Sequence, residues 1–212
     1  MGIGIAAAGS GGHVYPAIAV ADALVEAGVP KDDIVFFGGT RMESTAVPEA
    51  GYRLVSVNIH GIRRSLSLDN LRLPAKVRAA SKTIADEIRN ASIDAMVVFG
   101  GYVSGPAALA ARKVGIPLVV HEANAVPGMA NKMIAGRADL VLVAFDQAAS
   151  RLGGEVVGNP LRSSFSDFDR NRRRTPARKR FGLDPDGCVL AVVGGSLGAS
   201  ALNAIASAIA AD

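Results

Sequence analysis

Three glycine-rich loops carry the first sign of chemistry in this sequence. They occupy residues 9–13 (Gly-Ser-Gly-Gly-His), 100–105 (Gly-Gly-Tyr-Val-Ser-Gly) and 194–198 (Gly-Gly-Ser-Leu-Gly), each between an apolar run and a predicted helix. Glycine lets the backbone turn sharply and approach a ligand closely, and the free N–H groups at the start of the next helix favour anions. One such loop is weak evidence, because any tight turn between a strand and a helix favours glycine. Three of them in equivalent positions favour a phosphate-rich ligand.

None of the three loops matches a common nucleotide-binding motif. A P-loop would need Gly-Lys-Ser or Gly-Lys-Thr after its turn, and no loop has one. The dinucleotide fingerprint G-x-G-x-x-G also fails, because the glycines of the first loop are followed by His13 and Val14, which weakens a dehydrogenase interpretation. No spacing of Asp, His and Cys suggests a metal site, and no Asp-x-Asp pair ends a strand. We therefore predict neither a metal nor another cofactor.

Histidines stand at two of the predicted strand ends. His13 closes the first loop, where a histidine can accept a proton from a sugar hydroxyl at neutral pH. The alternative is a histidine that caps the turn or holds a phosphate. His121 and Glu122 follow another apolar strand, and polar side chains clustered at a strand end belong to a site more often than to a core. His60 has no evident partner, and we predict no role for it.

The elements that position these loops alternate along the chain. Strands are predicted at residues 3–7, 34–37, 53–59, 95–99, 117–120, 140–143 and 156–157, and helices at 15–27, 71–90, 106–114 and 129–135. This alternation predicts an α/β fold with a parallel sheet covered on both faces, and right-handed crossovers make the sheet doubly wound. Ligands of such sheets bind beyond the carboxyl ends of the strands, where the glycine loops stand.

The last quarter of the chain has a different character. We predict an N-terminal α/β domain at residues 1–160 and an interdomain linker with a short helix at 161–186, which is polar and contains two prolines. Residues 187–212 read as the first strand, glycine loop and helix of a second α/β domain, with the strand at 188–193 and the helix at 199–211. One strand and one helix cannot bury a core alone, so we expect the chain to be part of a protein about 150 residues longer.

Composition and charge limit the cellular compartments and the partners that suit this chain. Cys188 is the single cysteine, so no internal disulfide can form; we predict a cytosolic chain in which Cys188 is an inert core residue. We see neither a signal peptide nor an apolar run of the ~18 residues that span a membrane. The net charge is +4, with basic clusters at residues 63–82 and 170–180. Such clusters favour nucleic acid, anionic lipid or phosphorylated ligands, or form a solvated face and a linker.

Five motifs, at residues 9–16, 99–106, 121–128, 157–162 and 194–199, follow one another in an order that is highly specific. Through them the chain resembles the bacterial UDP-N-acetylglucosamine:undecaprenyl-diphospho-muramoylpentapeptide N-acetylglucosaminyltransferases of peptidoglycan synthesis. The resemblance implies a glycosyltransferase fold of the GT-B type, in which two doubly wound domains face each other across a cleft. This chain would supply the acceptor-binding N-terminal domain and the start of the donor-binding domain.

The resemblance also implies an activity and partners. N-acetylglucosamine would move from UDP-GlcNAc to the 4-hydroxyl of the muramoyl sugar of lipid I, the undecaprenyl-diphosphate-linked muramoylpentapeptide, with inversion, to form lipid II. It implies no metal, no nucleic acid, and a peripheral location on the cytoplasmic face of the plasma membrane. The family's uracil- and ribose-binding region is not in these 212 residues, so we expect this chain alone to be inactive.

Site roles follow from the resemblance residue by residue. The residues matched to catalysis or proton handling are His13, Glu122 and Tyr102. Those matched to the donor are Ser10, Gly11, Gly12, Asn124, Arg162 and Ser196. Those of the loops suited to the acceptor diphosphate are Gly9, Gly100, Gly101, Ser104 and Gly105. The apolar residues matched to the family's membrane patch are Leu66, Leu68, Leu71, Leu73 and Val77, among the basic Arg63, Arg64, Arg72, Lys76 and Arg78.

Other interpretations remain open at this point. Val77 could equally face the core from an ordinary amphipathic helix. The chain could be a non-catalytic module that binds lipid diphosphates, having kept the acceptor loops without a donor domain. It could also belong to another GT-B-type sugar-nucleotide enzyme, such as an epimerase, although the motifs at residues 102–105 and 121–122 argue against this.

Overall fold

The computed structural model describes residues 1–59, 73–166, 168–194 and 199–209. His60, Ser196 and most of the predicted membrane patch lie outside these ranges. The chain divides into two compact units, Met1–Ser166 and Asp167–Asp212. The finer division at residues 160 and 186 stays a prediction.

The first unit is built on a seven-stranded parallel sheet. The strands are β1 (Gly2–Ala6), β2 (Ile34–Gly38), β3 (Arg53–Ser56), β4 (Ile93–Val98), β5 (Leu118–Glu122), β6 (Leu140–Val143) and β7 (Glu155–Val156). Their order across the sheet is β3-β2-β1-β4-β5-β6-β7, and every pairing is parallel. The predicted parallel α/β fold is confirmed. The strand order reverses between β1 and β4, which is where open sheets of this kind form a ligand crevice.

Helices follow nearly every strand. They are α1 (Gly11–Glu26), α2 (Glu43–Glu49), α3 (Leu73–Asn90), α4 (Ser104–Val114), α5 (Met129–Ile134), α6 (Asp146–Leu152), α7 (Ser163–Ser166), α8 (Arg170–Arg180) and α9 (Ser200–Ile209), with 3₁₀ turns at Lys31–Asp33 and Ala135–Arg137. Sequence reasoning missed α2 and α6. Each has seven residues, too few for a clear helical repeat of apolar side chains.

The core lies on both faces of the sheet. Phe36 packs into a cluster with Ile5 and Val14, whereas Phe37 packs on the opposite face with Ile84 and Met96. Neighbouring strand residues point to opposite faces, so a strand buried on both sides must be apolar at every position. The uninterrupted apolar runs of the sequence follow from this. Val77 packs partly buried against the core, as the alternative interpretation predicted.

The second unit, taken by itself, corrects two predictions. Residues 188–194 form no strand, and Cys188 is exposed instead of buried in a core. A strand is stable when a neighbour shares its backbone hydrogen bonds, and no strand pairs with this segment among the residues described. The helix after the third glycine loop is present as α9.

One close backbone contact joins the loops after β1 and β4. Gly101 has φ +82°, and a methyl group in place of its hydrogen would overlap the carbonyl oxygen of Ala8. Glycine alone satisfies both the left-handed conformation and the approach. The two loops therefore meet at the sheet's reversal point because this position carries no side chain.

We expect Gly101→Ala to destabilise the first unit by at least about 2 kcal/mol, since the substitution adds both a steric overlap and backbone strain. Urea unfolding followed by tyrosine fluorescence measures this unit alone, because all three tyrosines lie within Met1–Ser166 and the chain has no Trp. Gly105→Ala is the matched control. Gly105 lies in α4 with open space around it, so an alanine there should stabilise by up to about 1 kcal/mol. Equal effects at the two glycines would contradict the steric argument.

Candidate functional site

The imidazole of His13 is fixed from one side. Its Nδ1 lies 3.1 Å from the carbonyl oxygen of Ala8 and 3.2 Å from the Oγ of Ser10. A carbonyl oxygen only accepts hydrogen bonds, so the contact with Ala8 places the imidazole proton on Nδ1 and leaves the lone pair on Nε2. The ring is half-buried beside Gly100, where an added methyl group would lie 2.9 Å from Nε2. Gly100 therefore leaves room for this imidazole, whose Nε2 has no hydrogen-bond partner within the described ranges.

The first turn of α1 offers backbone donors for which the described part of the chain supplies no acceptor. The carbonyl of Ser10 accepts hydrogen bonds from the N–H groups of His13 and Val14. Gly11 and Gly12 stand at the start of the helix, before the first residue whose N–H bonds to a carbonyl four positions back. Their N–H groups and the positive end of the helix dipole favour an anion. Gly11 and Gly12 line a cleft of about 250 Å³.

Arg162 stands on the same cleft. Its guanidinium lies 4.5 Å from the ring centroid of Tyr15 and 5.4 Å from that of Phe165, which orders the side chain by cation–π contacts. Asn124 also lines the cleft. Four of the residues predicted to contact the donor are thus gathered around one cleft: Gly11, Gly12, Asn124 and Arg162.

Glu122 is the centre of a hydrogen-bonded network. Its side chain is 1% exposed. One carboxylate oxygen accepts from the backbone N–H (2.9 Å) and the Nδ2 (2.8 Å) of Asn124, and the other from the N–H of Gly128 (2.9 Å) and the Nδ2 of Asn131 (2.9 Å). Four donors occupy both oxygens, so the carboxylate of Glu122 anchors the loop between β5 and α5 by hydrogen bonds. Its predicted role in proton handling stays a prediction, and the geometry favours an organising role.

Asn131 was missed by the sequence reasoning. It is buried in α5, and its Nδ2 also donates to the backbone oxygen of His121 at 3.1 Å. A polar residue on a short, partly exposed helix gives no signal of such a contact. His121 is buried as well, with Nε2 3.2 Å from the carbonyl oxygen of Gly158, so the proton sits on Nε2. Burial lowers the pKa of His121 and keeps the imidazole neutral, against smaller opposing effects of Gly158 and Glu122.

Glu43 is the second buried carboxylate and was also missed. It lies on α2, just beyond the carboxyl end of β2, and is 0% exposed. One oxygen accepts from the N–H of Gly9 at 3.1 Å; the other accepts from the N–H of Gly39 at 3.0 Å and the hydroxyl of Tyr102 at 2.5 Å. The sequence signal was an acid four residues after a glycine pair that ends a strand.

The pKa of Glu43 is set by opposing effects. Burial alone would raise it, but the hydrogen bonds from Tyr102, Gly9 and Gly39 hold the pKa below its ordinary value of 4.5. A carboxyl whose pKa falls on folding stabilises the folded state fully above that ordinary value, and this contribution is lost as the pH falls through the lowered pKa. Glu43 is therefore ionised at neutral pH.

Tyr102 faces inward to Glu43. Burial raises the pKa of its hydroxyl, and the hydrogen bond to the Glu43 carboxylate raises it further, so Tyr102 keeps its proton at neutral pH. Ser104 likewise turns inward, with its Oγ accepting from the N–H of Gly100 at 3.1 Å. Both side chains shape the loop after β4, and their predicted contacts with substrate stay predictions. No group of three or more His, Cys, Asp or Glu side chains that could hold a metal occurs in the part of the chain that the structure describes.

Comparison with known proteins places this arrangement in a family. Residues 3–143 match the glycosyltransferase family 28 N-terminal domain. The chain belongs to glycosyltransferase family 28. The matched range holds the whole sheet except β7, together with the glycine loops after β1 and β4.

Relatives in this family share most of the chain. A protein of Nocardioides sp. named UDP-N-acetylglucosamine--N-acetylmuramyl-(pentapeptide) pyrophosphoryl-undecaprenol N-acetylglucosamine transferase is 44% identical over 207 residues, covering 97% of this chain and 56% of the relative. A protein of the same name from Rhodococcus opacus is 44% identical over 211 residues, covering 94% and 55%. The crystal structure of Acinetobacter baumannii MurG superposes with a TM-score of 0.68 at 32% identity, covering 95% of this chain and 55% of that chain. The chain spans about half the length of these family 28 relatives.

We expect Glu122→Gln to destabilise the first unit by about 2–3 kcal/mol, because a neutral amide cannot accept the four hydrogen bonds that the buried carboxylate accepts. Urea unfolding followed by tyrosine fluorescence measures the change. Glu155→Gln, on the exposed strand β7, is the control and should lie within about 0.5 kcal/mol of wild type. A Glu122→Gln protein as stable as this control would show that the network does not depend on the charge.

Proposed function

We propose that this chain is the acceptor-side half of an inverting transferase that moves N-acetylglucosamine from UDP-GlcNAc to the 4-hydroxyl of the muramoyl sugar of lipid I, forming lipid II. The observation that carries the proposal is 44% identity over 97% of the chain to a relative whose name states this transfer. The geometry at the reversal point of the sheet supports it, since the loop at residues 9–13 carries both an imidazole whose Nε2 has no hydrogen-bond partner among the described residues and two glycines that line a cleft suited to anions.

In the proposed reaction His13 is the base. The 4-hydroxyl oxygen attacks the anomeric carbon of N-acetylglucosamine as its proton passes to Nε2 of His13. The bond between that carbon and the phosphate oxygen breaks, and the electron pair leaves with UDP. The hydrogen bond from Nδ1 to Ala8 keeps Nε2 as the acceptor and steadies the imidazolium that forms. Tyr102 and Glu122 take supporting roles, because their polar atoms are occupied inside the protein.

Phosphate charge is proposed to lie in the cleft between α1 and Arg162. The N–H groups of Gly11 and Gly12 and the guanidinium of Arg162 supply fixed positive charge on two walls of that cleft. Such preorganised donors stabilise a diphosphate without reorganising during the reaction. The proposed mechanism uses no metal and no other cofactor.

Lipid I would bring the protein to the cytoplasmic face of the plasma membrane, and we propose a peripheral association there. No helix within the described residues is long and apolar enough to cross a membrane. At the start of α3, Arg78 is exposed and Lys76 and Leu73 are half-buried, so the described part of the predicted membrane patch presents basic side chains. The remainder of that patch, residues 63–72, lies outside the described ranges. No nucleic acid partner is proposed.

Substituting His13 tests the role as base. We expect His13→Gln, in a protein that joins this chain to the C-terminal half of the Nocardioides relative, to lower kcat at least about 100-fold and to leave KM for UDP-GlcNAc nearly unchanged. Glutamine keeps a polar side chain but cannot accept the proton. The control is Glu26→Gln, at the exposed end of the same helix, which should retain full activity. Equal kcat in the two variants would show that His13 is structural.

Donor binding tests the division of labour between the two halves. We expect the 212-residue chain alone to bind UDP-GlcNAc with a Kd above about 1 mM in calorimetry, because residues beyond this chain are proposed to hold the uracil and ribose. The joined protein, measured under the same conditions, should bind at least about tenfold more tightly. Submillimolar donor binding by the chain alone would contradict the proposed division.

A further inference from the structure

Glu43 has no role in the proposed reaction, yet it is fully buried at the reversal point of the sheet. We propose that Glu43 is a positioning residue, whose carboxylate holds the loop at residues 9–13 in register with the loops after β2 and β4 and so sets the orientation of His13. The effect on His13 is a property of the folded chain. Only its consequence for catalysis rests on the proposed function.

Three donors from three different loops converge on this carboxylate. Gly9 follows β1, Gly39 follows β2, and Tyr102 follows β4. These strands are neighbours in the order β2-β1-β4, so their loops emerge side by side at the same edge. One anionic group in the middle fixes all three distances at once. Hydrogen bonds to a buried charge are also stronger than neutral ones, which makes the arrangement rigid.

The path from Glu43 to His13 is short and runs through the backbone. Gly9, held by Glu43, lies between Ala8 and Ser10. The carbonyl of Ala8 accepts the hydrogen bond from Nδ1 of His13, and the carbonyl of Ser10 accepts those from the N–H groups of His13 and Val14 in the first turn of α1. A shift of Gly9 therefore moves both the anchor of the imidazole and the start of the helix. Gly9 also has φ +98°, a conformation that needs outside support to stay fixed.

Tyr102 closes the arrangement from the other side. Its ring lies over Gly9, with an added methyl group there 3.6 Å from the ring, and its hydroxyl sits where a side chain at Gly39 would be. The absence of a side chain at Gly39 thus leaves the space that Tyr102 fills to reach Glu43. This explains why a tyrosine that faces inward stands in the loop after β4.

A glutamine at position 43 could not keep all three hydrogen bonds of Glu43 at once. Its single carbonyl oxygen can keep the Gly39 and Tyr102 donors, but its NH₂ group then faces the N–H of Gly9, and two donors repel. In the opposite orientation the NH₂ group faces the N–H of Gly39, and the Tyr102 hydroxyl must change from donor to acceptor to keep its contact, so this orientation retains fewer of the original contacts. Glu43→Gln should therefore release Gly9 selectively while the contacts of Gly39 remain.

The test uses the 212-residue chain with Glu43→Gln and, as control, Glu49→Gln on the exposed side of the same helix. Amide hydrogen exchange by NMR should accelerate at least about tenfold at Gly9 and stay within about threefold at Gly39. Imidazole ¹⁵N shifts should report Nδ1–H for His13 in wild type and in the control, and a mixture of tautomers in Glu43→Gln. His13→Gln assigns the signal. An unchanged Gly9 amide together with an unchanged His13 tautomer overturns the proposal.

If Glu43→Gln does not fold, Tyr102→Phe tests the same positioning role. It removes one donor and leaves the carboxylate, so the same changes at Gly9 and His13 should appear with smaller size. A folded Tyr102→Phe protein identical to wild type at both residues also overturns the proposal. None of these readouts needs a substrate, so they stand even if the joined protein transfers no sugar. If it does, Glu43→Gln should lower kcat and leave KM for UDP-GlcNAc nearly unchanged, and equal kcat with Glu49→Gln would count against the positioning role.

Discussion

The loops at the carboxyl edge of this sheet depend on the burial of one ionised carboxylate among three hydrogen-bond donors. A parallel sheet leaves the N–H groups beyond its strand ends without partners, and a buried N–H group without a partner is costly. Glu43 accepts two of these N–H groups and the hydroxyl of Tyr102, so the loops after β1, β2 and β4 share one acceptor. Since the ionised form is the one that accepts three donors, the pKa of Glu43 is lowered despite its burial.

Glu122 repeats this solution on the other side of the reversal point. It gathers three N–H donors from the segment between β5 and α5 and a fourth from Asn131 of α5, which also donates to the backbone of His121. Glycines complete the arrangement at positions where any side chain would collide, at Gly101 against Ala8 and at Gly100 against His13. The loops at this edge of the sheet are thus held by two buried carboxylates and by glycines that allow close contacts.

This assembly separates the three residues that the family resemblance matched to catalysis. Tyr102 and Glu122 direct their polar atoms into the protein, where donors and acceptors already occupy them. His13 differs, because Nδ1 is anchored and Nε2 has no partner among the residues that the structure describes. This difference suits the proposed role of His13, since a base needs an available lone pair and a fixed direction, and the carbonyl of Ala8 fixes the ring through Nδ1 without occupying Nε2.

The sequence by itself determined the layout of the first unit, because strands buried on both faces must be apolar throughout and the turns between strand and helix must be rich in glycine. It also placed the loops at residues 9–13 and 100–105 beyond the carboxyl ends of strands, where β1 and β4 have them, while the ligand contacts of His13 and Arg162 stay predictions. It did not reveal α2, Glu43 or Asn131, since a lone acid or amide on a short helix looks the same whether it faces solvent or three loops. The strand expected at residues 188–193 was wrong for a related reason: an apolar run becomes a strand only beside a partner. Tertiary structure decided these points because hydrogen bonds between distant loops depend on which strands lie side by side, and local pattern carries no record of that order.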